Sequence, residues 1–303
     1  MSQSSDAAVA SSPTNVSSVW LLFDLFKLRI GLAIGLTALT GLFVTPGRAP
    51  SVWRVIALVT AVTMASAAAG AFNQYVERDL DAQMRRTRGR VFATGRFVAG
   101  PEWLFAIAVL GSAGVVLAGL AASATAALFT FLGAFTYGVI YTVWLKRRTW
   151  WNIVIGGFAG SFAILAGSAA VSPDLASPLP LSFALVLLLW TPPHFWSLAI
   201  AYRDDYAAAK VPMLPVLVGE VRAARAVLVG AVLLVLATLI PLFWGMGWLY
   251  LAGATGGGMH LLWRSFWLAH TPNRRTAMAN FHASLLQLTL LLVAAIADTA
   301  MRG

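Results

Sequence analysis

From about residue 25 to residue 297 the chain repeats one unit, some twenty apolar residues followed by a short polar break. Crossing roughly 30 Å of hydrocarbon takes about 20 residues of helix, and a backbone in lipid must satisfy its own hydrogen bonds. The segments that meet this length are 25–45, 53–76, 101–120, 123–145, 151–171, 181–201, 226–243, 247–267 and 277–297. Hydrophobic residues are 59% of the 303 and charged residues 11%, where a soluble domain carries roughly 25% charged. The expectation is an all-α polytopic membrane protein with about nine transmembrane helices. Residues 1–18, rich in Ser and Ala with Pro13, read as a disordered cytoplasmic tail, and 19–303 as a single transmembrane domain. Gly31 to Val44 has the look of a signal-peptide core. It runs into Thr45-Pro46-Gly47-Arg48 with no small-x-small cleavage site, so it reads as the first span.

The net charge of +10 raises nucleic acid as a partner, but in a chain of spans basic residues first report orientation. Alternating loops put eighteen of the Lys and Arg on one side. Arg48, Arg54 and Arg302 are the three on the other. That bias predicts a cytoplasmic N-terminus, cytoplasmic loops after spans two, four, six and eight, and an outer C-terminus. No nucleic-acid role is needed. Trp53, Trp103, Trp144, Trp150, Trp151, Trp244 and Trp248 fall near span ends, as interfacial belts do. Gly156, Gly157, Gly160 and Gly167 form a small-residue face on span five suited to tight helix packing, and Gly256-Gly257-Gly258 reads as a packing or kink site. With no cysteine, thiolate metal sites and cysteine nucleophiles are excluded.

Only eleven acids are present, and five of them form two groups beside the basic loops. Glu77, Asp79 and Asp81 close span two; Asp204 and Asp205 close span six. Acids next to spans are costly and usually functional. At about 100° per residue Asn73, Glu77 and Asp81 share one helical stripe, while Asp79 points elsewhere unless the helix frays. One amide and two carboxylates offer oxygen donors to Mg²⁺, which is usually held by one or two carboxylates, waters and phosphate oxygens. The cations around them, among them Arg29, Arg85, Lys146 and Arg147, suit a diphosphate. A bland reading, a solvated loop of salt bridges, explains one such group better than two on the same side. Transport by a cation-coupled carrier would place acids near the midplane instead of at span ends.

Several stretches then become familiar. They include the acidic segment with Met84-Arg85-Arg86-Thr87-Arg88-Gly89-Arg90, and Tyr141 to Thr149 followed by Asn152 to Gly157. Thr191-Pro192-Pro193-His194-Phe195-Trp196, Asp204-Asp205-Tyr206 and Val211-Pro212-Met213-Leu214-Pro215-Val216 complete the set. In these, over about residues 22 to 298, the chain resembles the UbiA-type intramembrane prenyltransferases and within them the branch that farnesylates heme. It departs from that pattern at Glu77 (often Asp), Val91-Phe92 (often Pro-Leu), Leu28 (often Pro) and Ser161 to Ala166, which lacks a frequent Pro-Pro pair.

The resemblance implies a UbiA-type bundle around a central cavity and a Mg²⁺-dependent transfer from farnesyl diphosphate to a vinyl group of heme B, with addition of water, giving heme O. It implies a bacterial-type inner membrane as the location. It assigns Asn73, Glu77, Asp81, Asp204 and Asp205 to metal and diphosphate, and Arg29, Arg85, Lys146 and Arg147 to diphosphate contact. Tyr137 and Tyr141 become candidates to face the allylic cation. His194, inside a proline-interrupted helix, becomes a candidate for heme contact or for capping backbone freed by Pro192 and Pro193. His282 is a weaker heme candidate. Another acceptor, such as an aromatic quinone precursor or a chlorin, stays open at this stage, as do a heme O-oxidising partner and a homo-oligomer.

Overall fold

A computed structural model describes residues 18–302 apart from Ala49 and Leu175. The tail expected over 1–18 therefore lies, but for Ser18, outside the described residues. Those residues are helical and contain no strand. In chain order the helices are α1 (Ser18–Leu25), α2 (Leu28–Val44), α3 (Val52–Val76), α4 (Arg78–Gln83), α5 (Pro101–Ala121) and α6 (Ala124–Phe135), the last running into a π-helical segment (Thr136–Leu145). Then come α7 (Asn152–Gly156), α8 (Phe158–Ser168), α9 (Pro178–Ala201), α10 (Arg203–Ala208), α11 (Leu214–Val218) and α12 (Glu220–Ala237) with a 3-10 turn (Ile240–Trp244). The chain closes with α13 (Trp248–His270) and α14 (Arg274–Arg302).

Each expected span has a helix on it, but not every one is a crossing by length and composition. Six helical stretches among the described residues are long and apolar enough: Val52–Val76, Pro101–Ala121, Ala124–Leu145, Pro178–Ala201, Glu220–Trp244 and Arg274–Arg302. Leu28–Val44 and Asn152–Ser168 are apolar but shorter. Helix α13 is long, yet diluted by Thr255, three consecutive glycines and His260. The multi-pass membrane architecture stands; the full count of nine is an expectation that length and composition alone do not reach.

Local chemistry sets the ends. Pro101 and Pro178 open α5 and α9 at first-turn positions, where a missing N–H costs nothing. The Ser123 hydroxyl accepts the Ala126 N–H at 3.1 Å and caps α6. Gly219, at φ 81, turns the chain from α11 into α12. Without a hydrophobic drive between spans in lipid, close packing has to hold the bundle. A Cβ at Gly167 would collide with the carbonyl oxygen of Ala38, and one at Gly41 with that of Ile164, so α2 and α8 touch backbone to backbone. At Gly156 a Cβ would meet Tyr141 at 3.1 Å, which makes span five the tightly packed element its glycines suggested. Of the Gly256–Gly258 run, Gly257 and Gly258 pack closely and Gly256 faces open space.

The loops sort to two ends as the charge count requires. At one end Lys146 reaches Glu77, Arg85 reaches Asp205, and the Arg274 guanidinium lies 5.2 Å from the Tyr202 ring centre. These contacts tie together the connections after spans two, four, six and eight. At the other end the Gly47 turn packs on Val171, and Asp298 accepts the Gly247 N–H at 2.7 Å. A cavity of about 780 Å³ opens there between Phe43, Pro46, Val55, Leu179 and Met246, far from the acids.

Candidate functional site

Helix α3 delivers the first acids. The Ala65 to Gly70 run keeps it slim enough to be buried, so the polar residues near its end enter the bundle as well. The Glu77 N–H donates to the Asn73 carbonyl at 3.0 Å and the Asp81 N–H to that of Glu77 at 2.7 Å, so four-residue spacing survives the joint between α3 and α4. Asn73, Glu77 and Asp81 are all buried, whereas Asp79 faces out, as the helical stripe requires.

Each member of the stripe meets a cation. Lys27 Nζ donates to Asn73 Oδ1 at 2.7 Å and to the Tyr137 hydroxyl at 2.8 Å. Lys146 Nζ lies 2.5 Å from Glu77 Oε2, and one Arg90 nitrogen donates to both Asp81 oxygens at 2.8 Å. In a low-dielectric setting such charges stay buried only in pairs. The pairs alternate along a row, which is also how a metal and a polyphosphate would be shared between acidic and basic side chains.

The π-helical segment supplies the facing wall. There the Lys146 N–H donates to the Tyr141 carbonyl, an i→i−5 bond at 2.9 Å, and the Thr142 hydroxyl donates to the Tyr137 carbonyl at 2.8 Å. Widened turns of this kind inside helices often mark functional sites. Thr142 also accepts the Asn73 amide at 3.1 Å, which fixes that amide with its oxygen toward Lys27. The Tyr137 and Tyr141 rings stack with centres 5.9 Å apart, one within 5.5 Å of Lys27 Nζ and the other within 5.6 Å of Lys146 Nζ.

The second acidic group lies at the same end. Asp205, in α10, is buried and 3.6 Å from Arg85 Nε, while the neighbouring Asp204 is exposed beside Arg203. Adjacent helical residues point about 100° apart, so only one of the two can turn inward. Arg86 bridges the groups further, 3.5 Å from the Tyr206 hydroxyl and 5.9 Å from the Tyr202 ring centre. Arg29, Arg85 and Arg147 are exposed. His194 is elsewhere, deeper in α9, with Nδ1 2.7 Å from Ser284 Oγ; it caps no carbonyl freed by Pro192 or Pro193. His282 is exposed.

Lys27, Arg90 and Thr142 join the row, although in the sequence Lys27 is one of the eighteen basic residues on one side and Arg90 only the last residue of the Met84–Arg90 stretch. The available signal was position, a cation within one turn of span one. What puts its ammonium on Asn73 is the left-handed backbone at Lys27, φ 47, which hydrophobicity does not reveal.

Among the described residues two buried carboxylate oxygens have no hydrogen-bond partner: Glu77 Oε1 and Asp205 Oδ2. Unpaired buried carboxylate oxygens call for an ion or water, and hard oxygen donors fit Mg²⁺. Among the described residues no three acidic or histidine groups converge into a ready metal cage.

The chain is similar to known proteins over most of its length. Residues 34–289 match the model of the UbiA prenyltransferase family. A protein named protoheme IX farnesyltransferase 2, from Paramagnetospirillum magneticum, is 54% identical over 93% of this chain and 98% of its own. Protoheme IX farnesyltransferase 1 of the same organism is 48% identical over 91% and 96%. In fold, the chain is similar to a digeranylgeranylglyceryl phosphate synthase structure, with TM-score 0.75 at 16% identity over 93% of this chain and 99% of that one. It is also similar to a UbiA homologue of Archaeoglobus fulgidus bound to GPP and Mg²⁺, with TM-score 0.66 at 13% identity over 91% and 99%.

Proposed function

Because this chain belongs to the UbiA prenyltransferase family, we propose that it joins the farnesyl group of farnesyl diphosphate to a vinyl group of heme B, giving heme O and diphosphate. The observation that carries the transfer chemistry is the row of cation contacts to the Asn73 amide and to the buried Glu77 and Asp81 carboxylates, together with unpartnered carboxylate oxygens on Glu77 and Asp205. The acceptor rests on the relatives named as protoheme IX farnesyltransferases. A quinone precursor or chlorin has no comparable support.

Asn73, Glu77 and Asp81 would hold Mg²⁺ from one side and Asp205 from the other, with Asp204 at the rim. When bound, the ion supplies Lewis-acid neutralisation of the departing diphosphate. Lys27, Lys146 and Arg90 exchange their present partners for diphosphate oxygens, and Arg85 closes over from outside, with Arg29 and Arg147 contributing at the surface. Such preorganised cations stabilise charge where it builds up as the C1–O bond breaks. The stacked faces of Tyr137 and Tyr141 favour the allylic cation left behind, and the surrounding spans keep bulk water from it. The vinyl carbon attacks C1, and one water captures the new cation and loses its proton. The loops that carry the acids lie in the cytoplasm of a bacterial-type inner membrane on the charge bias.

The test is an assay of purified full-length protein with heme B, farnesyl diphosphate and Mg²⁺, read by mass. Heme gaining one farnesyl group and one hydroxyl group is expected, with loss of product on chelation. Unchanged heme beside a prenylated phenol, when both acceptors are offered, would refute the heme assignment.

A further inference from the structure

Helix α13 contributes nothing to the site described above, yet it carries an arginine inside its span. Arg264 lies six residues before the end of α13, so at 1.5 Å per residue its Cα is about 9 Å below the terminus on the side of the acids. It belongs to no ion pair among the described residues. Its guanidinium stands instead 4.5 Å from the ring centre of Trp263, which is exposed on the outside of the bundle. Arg264 itself is half-buried.

At this depth the exposed part of the side chain meets lipid. An Arg within a span is costly, and is stabilised by a counter-charge or by reaching the water interface. Reaching out is opposed here. Each Cα–Cβ bond of a helix tilts toward its N-terminus, and α13 begins at the far end, beside Asp298. The side chain therefore leaves its helix pointing deeper, and the Trp263 ring holds it there. Such a cation calls for an anion that comes down from the membrane surface.

The neighbouring helix completes the setting. The Ser265 hydroxyl donates to Asn280 Oδ1 at 2.8 Å, which sets the antiparallel register of α13 and α14. Gly253 and Gly257 let the two helices pack closely. Counted from that bond, Arg275, exposed in the first turn of α14, is about 9 Å nearer the surface than Arg264. It too belongs to no ion pair among the described residues. Trp267, exposed, stands one turn above Trp263. Two guanidinium groups at two depths, two lipid-facing indoles and no paired carboxylate match a phosphate that carries an acyl tail. A zwitterionic headgroup would press its own ammonium against Arg275.

We propose that the groove between α13 and α14 binds one anionic phospholipid of the leaflet on the acidic side, its phosphate held by Arg264 with Arg275 as the second cation.

The test adds phosphatidylglycerol or phosphatidylcholine to delipidated, detergent-solubilised full-length protein and reads bound lipid by native mass spectrometry. Wild type should hold one phosphatidylglycerol about tenfold more tightly than phosphatidylcholine. Arg264→Gln should bind phosphatidylglycerol about tenfold more weakly, the scale of one charge-assisted bond. Arg222→Gln, which removes an exposed cation of α12, should bind it as wild type does. Soluble glycerol phosphate should not displace the lipid. Equal retention of the two lipids by wild type, equal losses in Arg264→Gln and Arg222→Gln, or displacement by glycerol phosphate would each overturn the proposal. If Arg264→Gln does not fold, wild type decides with a phosphatidylglycerol that carries a photoreactive headgroup. Label within residues 263–267 is expected, and label only on other segments overturns the assignment.

Discussion

At the scale of single residues, Glu77 and Lys146 show how binding and stability are tied in this site. Both are buried, and their 2.5 Å contact is what lets either remain charged. Removing one partner of a buried pair costs about 3–5 kcal/mol because the other is stranded. Lys146→Met should therefore lower the melting temperature in detergent by several degrees and abolish transfer. The double variant Glu77→Gln with Lys146→Met should recover most of the stability and none of the activity. Melting of the double variant as low as that of Lys146→Met alone would show that the pair is not what holds the site. Asp81→Asn tests the same logic one turn on. On the proposed role it removes a metal donor, and it leaves Arg90 facing a neutral amide, so transfer should fall at least a hundredfold while the protein still inserts, as read by product mass beside membrane yield.

At the scale of elements, contact between spans depends on absent side chains. Gly167 and Gly41 let α2 and α8 meet at the backbone, where a larger residue has nowhere to go. Gly167→Val should separate the two helices and give aggregated protein on size exclusion. Gly256→Ala meets open space and should be neutral or stabilising by up to about 1 kcal/mol, the usual gain over glycine within a helix. Monodisperse, wild-type-like Gly167→Val would contradict the packing described. These elements also show what a sequence can and cannot disclose. Span positions and the inward stripe of Asn73, Glu77 and Asp81 follow from hydrophobic run length and a 100° step, both local. That Asp204 and Asp205 cannot both point inward follows from the same step, but that Asp204 is the one exposed does not. The Lys27 contacts do not follow, because they join residues 46 and 110 positions apart through a left-handed backbone turn. Nor does the π-helical segment, since its residues are as apolar as those of any neighbouring span.

At the scale of the whole molecule, all the contacts that build the site come from one end of the bundle, and the opposite end closes on itself through Asp298 and the Gly47 turn. The charge bias assigns the first end to the cytoplasm, and the absence of cysteine makes that assignment directly testable. Single cysteines at Gly89 and Asp174, both exposed positions, should label differently. Asp174→Cys should react with a membrane-impermeant maleimide in intact spheroplasts, and Gly89→Cys only after lysis. The reverse pattern would put the acids on the outer face and remove the orientation.

The widened turns before Lys146 set which way its ammonium points. A widened helix holds more residues per turn than an ordinary coil, and here the surplus is accommodated in a single stretch from Tyr137 to Lys146. Tighten that stretch into a plain helix without shortening it, and it still reaches across the bilayer. Everything beyond Tyr137 would then be swung about the helix axis, because each residue turns further in the tighter coil, and the ammonium of Lys146 would leave Glu77. The pitch of this wall, and not its composition, keeps the two charges in register.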